Sequence, residues 1–232
     1  MKTSSCKNRA FSLIELIVVI LIIGIIAAFT LPAASTILRG SQITQASQII
    51  TDQFSLARQT ALTKNRSVEV RLIRYGDPET PGESITDKGT WNYRAIQIME
   101  ILENGVAVPL DKPQLLPQAV IMNPTTLSTL IAGPDQTSTA PVKSDPNLPR
   151  KIGQNYDYVS FRFLPDGSTN LAEFNPSSAT KNVWYVTLHN INDYDAKTPA
   201  NTANRVGTGK LNYFTLQVDP VSGKTKSYRP SV

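Results

Sequence analysis

The sequence predicts an α+β protein, in which a long N-terminal helix packs on a β-rich antiparallel globular head. Three observations carry the prediction. From Leu16 to Phe29 every residue is apolar or Gly24. From Ile43 to Ala61 apolar residues recur at steps of three and four, the period of one helix face. Beyond Leu72, short runs rich in β-branched and aromatic residues alternate with Gly, Pro, Asn and Asp turns.

The chain opens on a basic leader, residues 1–10, that carries Lys2, Lys7 and Arg9 and ends at Ala10. Residues 11–34 then supply an apolar helix, and about 20 such residues cross the roughly 30 Å hydrocarbon core of a bilayer. The small residue Ala10 precedes the apolar stretch instead of following it, so cleavage there leaves the helix in the mature chain. The leader cations hold the leader in the cytoplasm, and everything after Pro32 crosses the membrane. Glu15 stands at the lip of the span. A carboxylate inside a membrane costs roughly 2.5–3.5 kcal/mol on insertion scales, which marks Glu15 as a functional residue in need of a counter-charge.

Pro32 removes one helical hydrogen bond, so a kink is expected there before the helix resumes. Residues 35–65 form its amphipathic half. Ile43, Ala46, Ile50, Phe54, Ala57 and Ala61 make the buried stripe, while Gln45, Gln48, Asp52, Ser55 and Gln59 fall on other faces. Asn65 is the stop signal. Val68, Val70 and Leu72 alternate with Glu69 and Arg71, which predicts a strand with one solvated face.

The head, residues 66–232, continues with strands at Tyr93 to Leu102, Val106 to Leu110, Ala119 to Met122, Tyr158 to Leu164, Leu171 to Phe174, Val183 to His189 and Asn212 to Val218. Asn104-Gly105, Pro165-Asp166-Gly167 and the stretch from Asp219 to Gly223 supply turns that join antiparallel strands. Stretches at about 123–150 and 190–209 are rich in Thr, Ser, Asn, Pro and Asp. They read as surface insertions, the first with a short helix at Thr126 to Ile131.

Composition narrows the chemistry. The only cysteine is Cys6, in the leader, so the mature chain has neither a disulfide nor a cysteine nucleophile. Loss of the three leader cations lowers the formal charge from +5 to +2, too little for bulk attraction to polyanions. The sole histidine, His189, ends a predicted strand with no nucleophile pattern around it, and it reads as a surface or turn residue. Neither a phosphate-cradling Gly loop nor a Cys/His metal spacing is present, so no enzymatic activity and no cofactor are expected. The run Asn190-Ile191-Asn192-Asp193-Tyr194-Asp195 gathers oxygen ligands as a calcium loop would, without the EF-hand order, and Asx-rich turns also arise from backbone hydrogen bonding alone.

The segment from Ala10 to Pro32 resembles the type IV prepilin signature, through Phe11, Ser12, Leu13, Glu15 and the Val/Ile/Leu-rich run. Ala10 departs from the Gly usual at that place. The resemblance implies a pilin-like fold, cleavage by a prepilin peptidase after Ala10, N-methylation of Phe11, and pairing of Glu15 with the free Phe11 amine of a neighbouring subunit. Partners would then be the peptidase, other pilins or pseudopilins in a filament, and the bacterial inner membrane, spanned once with the head periplasmic. The string from Ser55 to Ala61 running into Lys64 to Val70, with Phe161 to Gly167 and the closing Thr215 to Tyr228, is similar to minor pseudopilins of the type II secretion H and FimT kind. The order of Trp184 to Asn190 and Tyr213 to Pro230 is also similar to the Verru_Chthon cassette protein D group. The tail Lys224, Lys226 and Arg229 resembles a Gly-Arg-x-Arg element with which some FimT-like pilins hold DNA, Lys standing for both Arg. Lys meets phosphate as a point charge without the bidentate fork, and cations also decorate ordinary strand edges. The reading is a minor pilin or pseudopilin of a type II secretion or type IV pilus-like filament. Its alternatives are a DNA-binding minor pilin for DNA uptake and a single-span envelope protein that never polymerises.

Overall fold

The computed structural model describes residues 12–124, 127–132, 156–172, 183–191 and 212–229, with the side chains of 29–39 outside that description. The chain divides into two compact units, Met1–Gly40 and Ser41–Val232. The first holds the start of helix α1 (Leu13–Lys64), whose helical assignment runs through Pro32 without a break.

In the second unit the remainder of α1 is the spine of an α+β head. All six residues of the predicted stripe are buried, none more than 1% exposed, and Gln45, Gln48, Asp52, Ser55 and Gln59 are exposed. The helix stops where Asn65 adopts a left-handed φ of 52°, and Arg66 N–H donates to Ala61 O at 3.3 Å. That six-to-one bond is a Schellman cap, which satisfies a carbonyl the helix would otherwise leave open.

Nine strands form one antiparallel sheet among the described residues: β1 (Val68–Tyr75), β2 (Asn92–Ile101), β3 (Ala107–Pro109), β4 (Gln114–Leu115), β5 (Val120–Met122), β6 (Asp157–Phe163), β7 (Trp184–Asn190), β8 (Tyr213–Val218) and β9 (Thr225–Tyr228). Their order is β6-β1-β2-β5-β7-β8-β9, with β3 and β4 also pairing along β2. One face packs on α1. Phe54 meets Phe161 edge to face at 5.4 Å, and Phe161 meets Phe163 in the same manner. Val70, Leu72, Ile96, Ile98, Val186, Leu188, Leu216 and Val218 complete this core. Each such side chain contributes about 1.5–3 kcal/mol when fully buried.

The opposite face is not the solvated one expected from the alternation of β1. Glu69 and Arg71 are buried: Arg71 Nε donates to Glu69 Oε1 at 2.9 Å, and the guanidinium lies 4.5 Å from the centroid of Tyr158. Side chains of the neighbouring strands and of Tyr156 cover this second face of β1. Ile73, Tyr75, Ala95, Tyr156 and Tyr158 form a smaller apolar cluster there. Arg94 is also buried, bonded to Thr80 at 2.9 Å and to the carboxylates of Asp77 and Glu83 in the loop before β2.

Other expectations need correction. No strand begins at Leu171; the segment bends after a single bridge between Thr169 and Phe163, and 173 and 174 lie outside the described residues. The short helix is α2 (Thr129–Ala132), and it is core rather than surface. Leu130 and Ile131 are buried, and the hydroxyls of Ser128 and Thr129 accept the N–H groups of Thr187 and Tyr185, at a part of β7 that β5 does not reach. Most of the two insertions lies outside the described residues.

The ends of the sheet meet through their turns. Gly223 (φ 62°) ends a four-residue loop, Pro220-Val221-Ser222-Gly223, between Asp219 and Lys224: Gly223 N–H donates to Asp219 O at 2.8 Å and Asp219 N–H to Lys224 O at 2.9 Å. Glycine takes the left-handed conformation at the last loop position without steric cost. A side chain at Gly223 would strike Gly167 O, 2.1 Å from its Cβ, and Thr169 N–H bonds Pro220 O at 2.9 Å.

Candidate assembly segment and C-terminal basic strand

Ala10 and Phe11 lie outside the described residues; Glu15 lies within them. Ser12 is the N-cap of α1, Leu16 N–H donates to Ser12 O at 3.2 Å, and the Glu15 carboxylate turns back to accept Ser12 N–H at 2.9 Å. Ser12-Leu13-Ile14-Glu15 thus has the S-x-x-E spacing and one of the two reciprocal bonds of a capping box. The pattern stands in the sequence, where the charge of Glu15 is the louder signal. A carboxylate here also faces the positive end of the helix dipole.

Beyond this cap the helix exposes apolar side chains in every direction. Leu13, Ile14, Leu16, Ile17 and each of the large residues onward to Ile26 are 46–75% exposed. A helix apolar all round belongs inside a membrane or an assembly. Among the described residues no helix is long and apolar enough to cross a membrane. The described side chains of this stretch end at Ala28, short of the about 20 residues a span requires.

At the other end of the chain the predicted basic cluster is divided between two faces of the sheet. The register pairs Lys226 with Gln217 and Thr225 with Val218. Val218 faces the core, so Thr225 and Ser227 lie on the α1 side and Lys226 and Tyr228 on the other. Lys226 Nζ sits 5.2 Å from the Tyr228 ring centroid, and Tyr228 donates its hydroxyl proton to Gln217 at 3.0 Å. Arg229 is tied to the α1 side by bonds to Thr44 Oγ1 at 2.9 Å and Asn212 Oδ1 at 3.3 Å. Lys224 lines a groove of about 480 Å³ with Phe54, Ser55, Arg58, Leu62 and Gly223. Arg58, which sequence reasoning overlooked, fixes that groove by donating from Nε to Ser222 O at 3.1 Å. Nearby, a hydrogen bond from the Ser222 hydroxyl, ahead of all other causes, holds the Asp219 carboxyl below its ordinary range.

His189 is neither a surface nor a turn residue. It is buried, with Nε2 3.0 Å from Asn123 Nδ2 and Nδ1 2.9 Å from Asn190 O. Asn190 is buried at the end of β7, and 192–195 of the oxygen-rich run lie outside the described residues. Among the described residues no three His, Cys, Asp or Glu side chains gather as a metal site.

Comparison with known proteins places one landmark on this geometry. The family model for the prokaryotic N-terminal methylation motif matches residues 5–31, the stretch that contains Ala10, Phe11, the Ser12 and Glu15 cap and the all-apolar helix. No curated protein and no solved structure matched the chain. The motif supports a type IV pilin-like protein, one that a prepilin peptidase processes and that assembles with other pilins.

Proposed function

We propose that the chain is a minor pilin or pseudopilin, a structural subunit and not an enzyme, of a type II secretion or type IV pilus-like filament. The observation that carries the reading is the coincidence of the methylation motif at 5–31 with a helix whose apolar side chains are exposed on every side. Such a surface is unstable in water and is satisfied first by the inner membrane and then by neighbouring subunits. Residues 11–34 serve as the single span, with the leader cytoplasmic and the head periplasmic. Cleavage after Ala10 frees the Phe11 amine, which is then methylated. Glu15 exchanges its intrachain bond with Ser12 N–H for an ion pair with that amine on an adjacent subunit. The type II secretion H and FimT kind is the favoured subfamily, on the sequence of α1 running into β1.

The test is fractionation. The chain should sediment with sheared filaments and sister pilins, and do so only in cells with active prepilin peptidase. Recovery in the inner membrane alone, with filaments abundant, would favour the single-span protein that never polymerises.

A further inference from the structure

The free edge of the sheet at β9 has a use that the N-terminal segment does not explain. Because Asp219 and Lys224 form a hydrogen-bonded pair, the alternation along the hairpin directs the backbone of Lys226 and Tyr228 to β8. The N–H and C=O groups of Thr225 and Ser227 therefore point away from the sheet, and they meet no partner among the described residues. Ser227, Lys226 and Tyr228 are exposed and Thr225 is half-buried, so the edge is open. Such an edge is a template for one more strand.

Charge selects what can add. Lys226 stands on the strand itself, Lys224 precedes it, and Arg58 and Lys224 line the groove alongside. Pairing of β9 with β9 of a second copy would bring these lysines together, an arrangement that disfavours self-association. A segment with carboxylates would be drawn to the same place. We propose that β9 is a docking edge for an extended acidic segment of a partner protein, which adds as a further strand. Backbone bonds to Thr225 and Ser227 supply the affinity, and Lys224, Lys226 and Arg58 the charge preference. A duplex phosphate backbone fits less well, because Arg229 is committed to Thr44 and Asn212 and the cations do not share one face. The proposal does not depend on filament assembly.

The test uses the full chain in detergent micelles and a fluorescent eight-residue peptide of alternating Glu and Val. Its Lys/Val counterpart and a version methylated at alternate amide nitrogens serve as controls. The Glu/Val peptide should bind with affinity that falls as salt rises, and binding should slow hydrogen exchange at the Thr225 and Ser227 amides. Ser227→Pro removes one outward N–H without breaking a bond to β8, as proline on an edge strand allows. It should weaken binding at least tenfold, as should Lys226→Glu and methylation of the peptide. Exchange of the Gln217 and Thr215 amides, which face Lys226 and Tyr228, reports whether the hairpin stays folded in each variant. Equal binding of the Lys/Val peptide, unchanged binding to a folded Ser227→Pro variant, or duplex DNA competing at the same site while the peptide leaves Thr225 and Ser227 unprotected would each overturn the proposal. Dimerisation through β9 would do so as well.

Discussion

Glu15 can be tested by two substitutions that separate its cap from its charge. In the structure the carboxylate accepts Ser12 N–H at 2.9 Å. Glu15→Gln keeps an acceptor at the same reach, since Gln also closes a capping box. It exchanges a charge-assisted hydrogen bond of about 1.5–3 kcal/mol for a neutral one of about 0.5–1.5, so the first turn loses on the order of 1 kcal/mol. That is about a fivefold effect on local fraying, too small to block membrane insertion or cleavage. On the proposed pairing with the Phe11 amine of an adjacent subunit, the same change removes one partner of a buried ion pair, which costs about 3–5 kcal/mol, more than a hundredfold in an equilibrium. Glu15→Ala removes the cap bond together with the charge, which costs the first turn of the free chain about 1.5–3 kcal/mol. The assay is crosslinking of each variant to sister prepilins at matched expression, with the cleaved fraction measured in parallel. Cleavage should stay near wild type for Glu15→Gln while incorporation falls steeply. If Glu15→Gln incorporates as wild type and only Glu15→Ala fails, the residue acts as a helix cap and its charge plays no part in assembly.

Two further outcomes follow from the head. Phe54 is fully buried against Phe161, so Phe54→Ala should cost about 3–5 kcal/mol and lower the urea midpoint markedly, and a shift below 1 kcal/mol would mean that α1 does not anchor the sheet. Asp219 has a folded pKa below its ordinary 3.8, so its stabilisation is complete above that value and disappears as the pH falls through the lower folded one. Exchange of the Gly223 amide, bonded to Asp219 O, should quicken across that acid range in the wild type and show no such acid step in Asp219→Asn.

Much of the fold was legible because its signals are local. The stripe from Ile43 to Ala61 follows a single period, and all six positions are buried. Asn65 was legible as a stop because Asn tolerates the left-handed φ that ends a helix. Most longer strands fall within a residue or two of their expected bounds, since β-branched runs end at recognisable turns. What failed was decided at long range. Glu69 and Arg71 look solvated in isolation and are buried because of strands and side chains far along the chain. His189 depends on Asn123, and Arg94 on a loop many residues earlier. Gln114–Leu115 and Thr225–Tyr228 are too short or too polar to announce themselves, and their pairing with β2 and β8 makes them strands. The same contrast divides the sites. The N-terminal segment was legible because motif and apolar helix are contiguous, whereas the tail cations spread over two faces only once the register with β8 is known.

The central claim is that this chain is processed to expose Phe11 and retains the helix beyond it. Mass spectrometry of the protein from membranes tests this most directly, with and without active prepilin peptidase. With the peptidase active, the N-terminal peptide should begin at Phe11 and carry one methyl group; without it, the peptide should retain the leader. An unmethylated chain beginning at Met1 in peptidase-active cells, or a mature N-terminus beyond the apolar helix, would contradict the account.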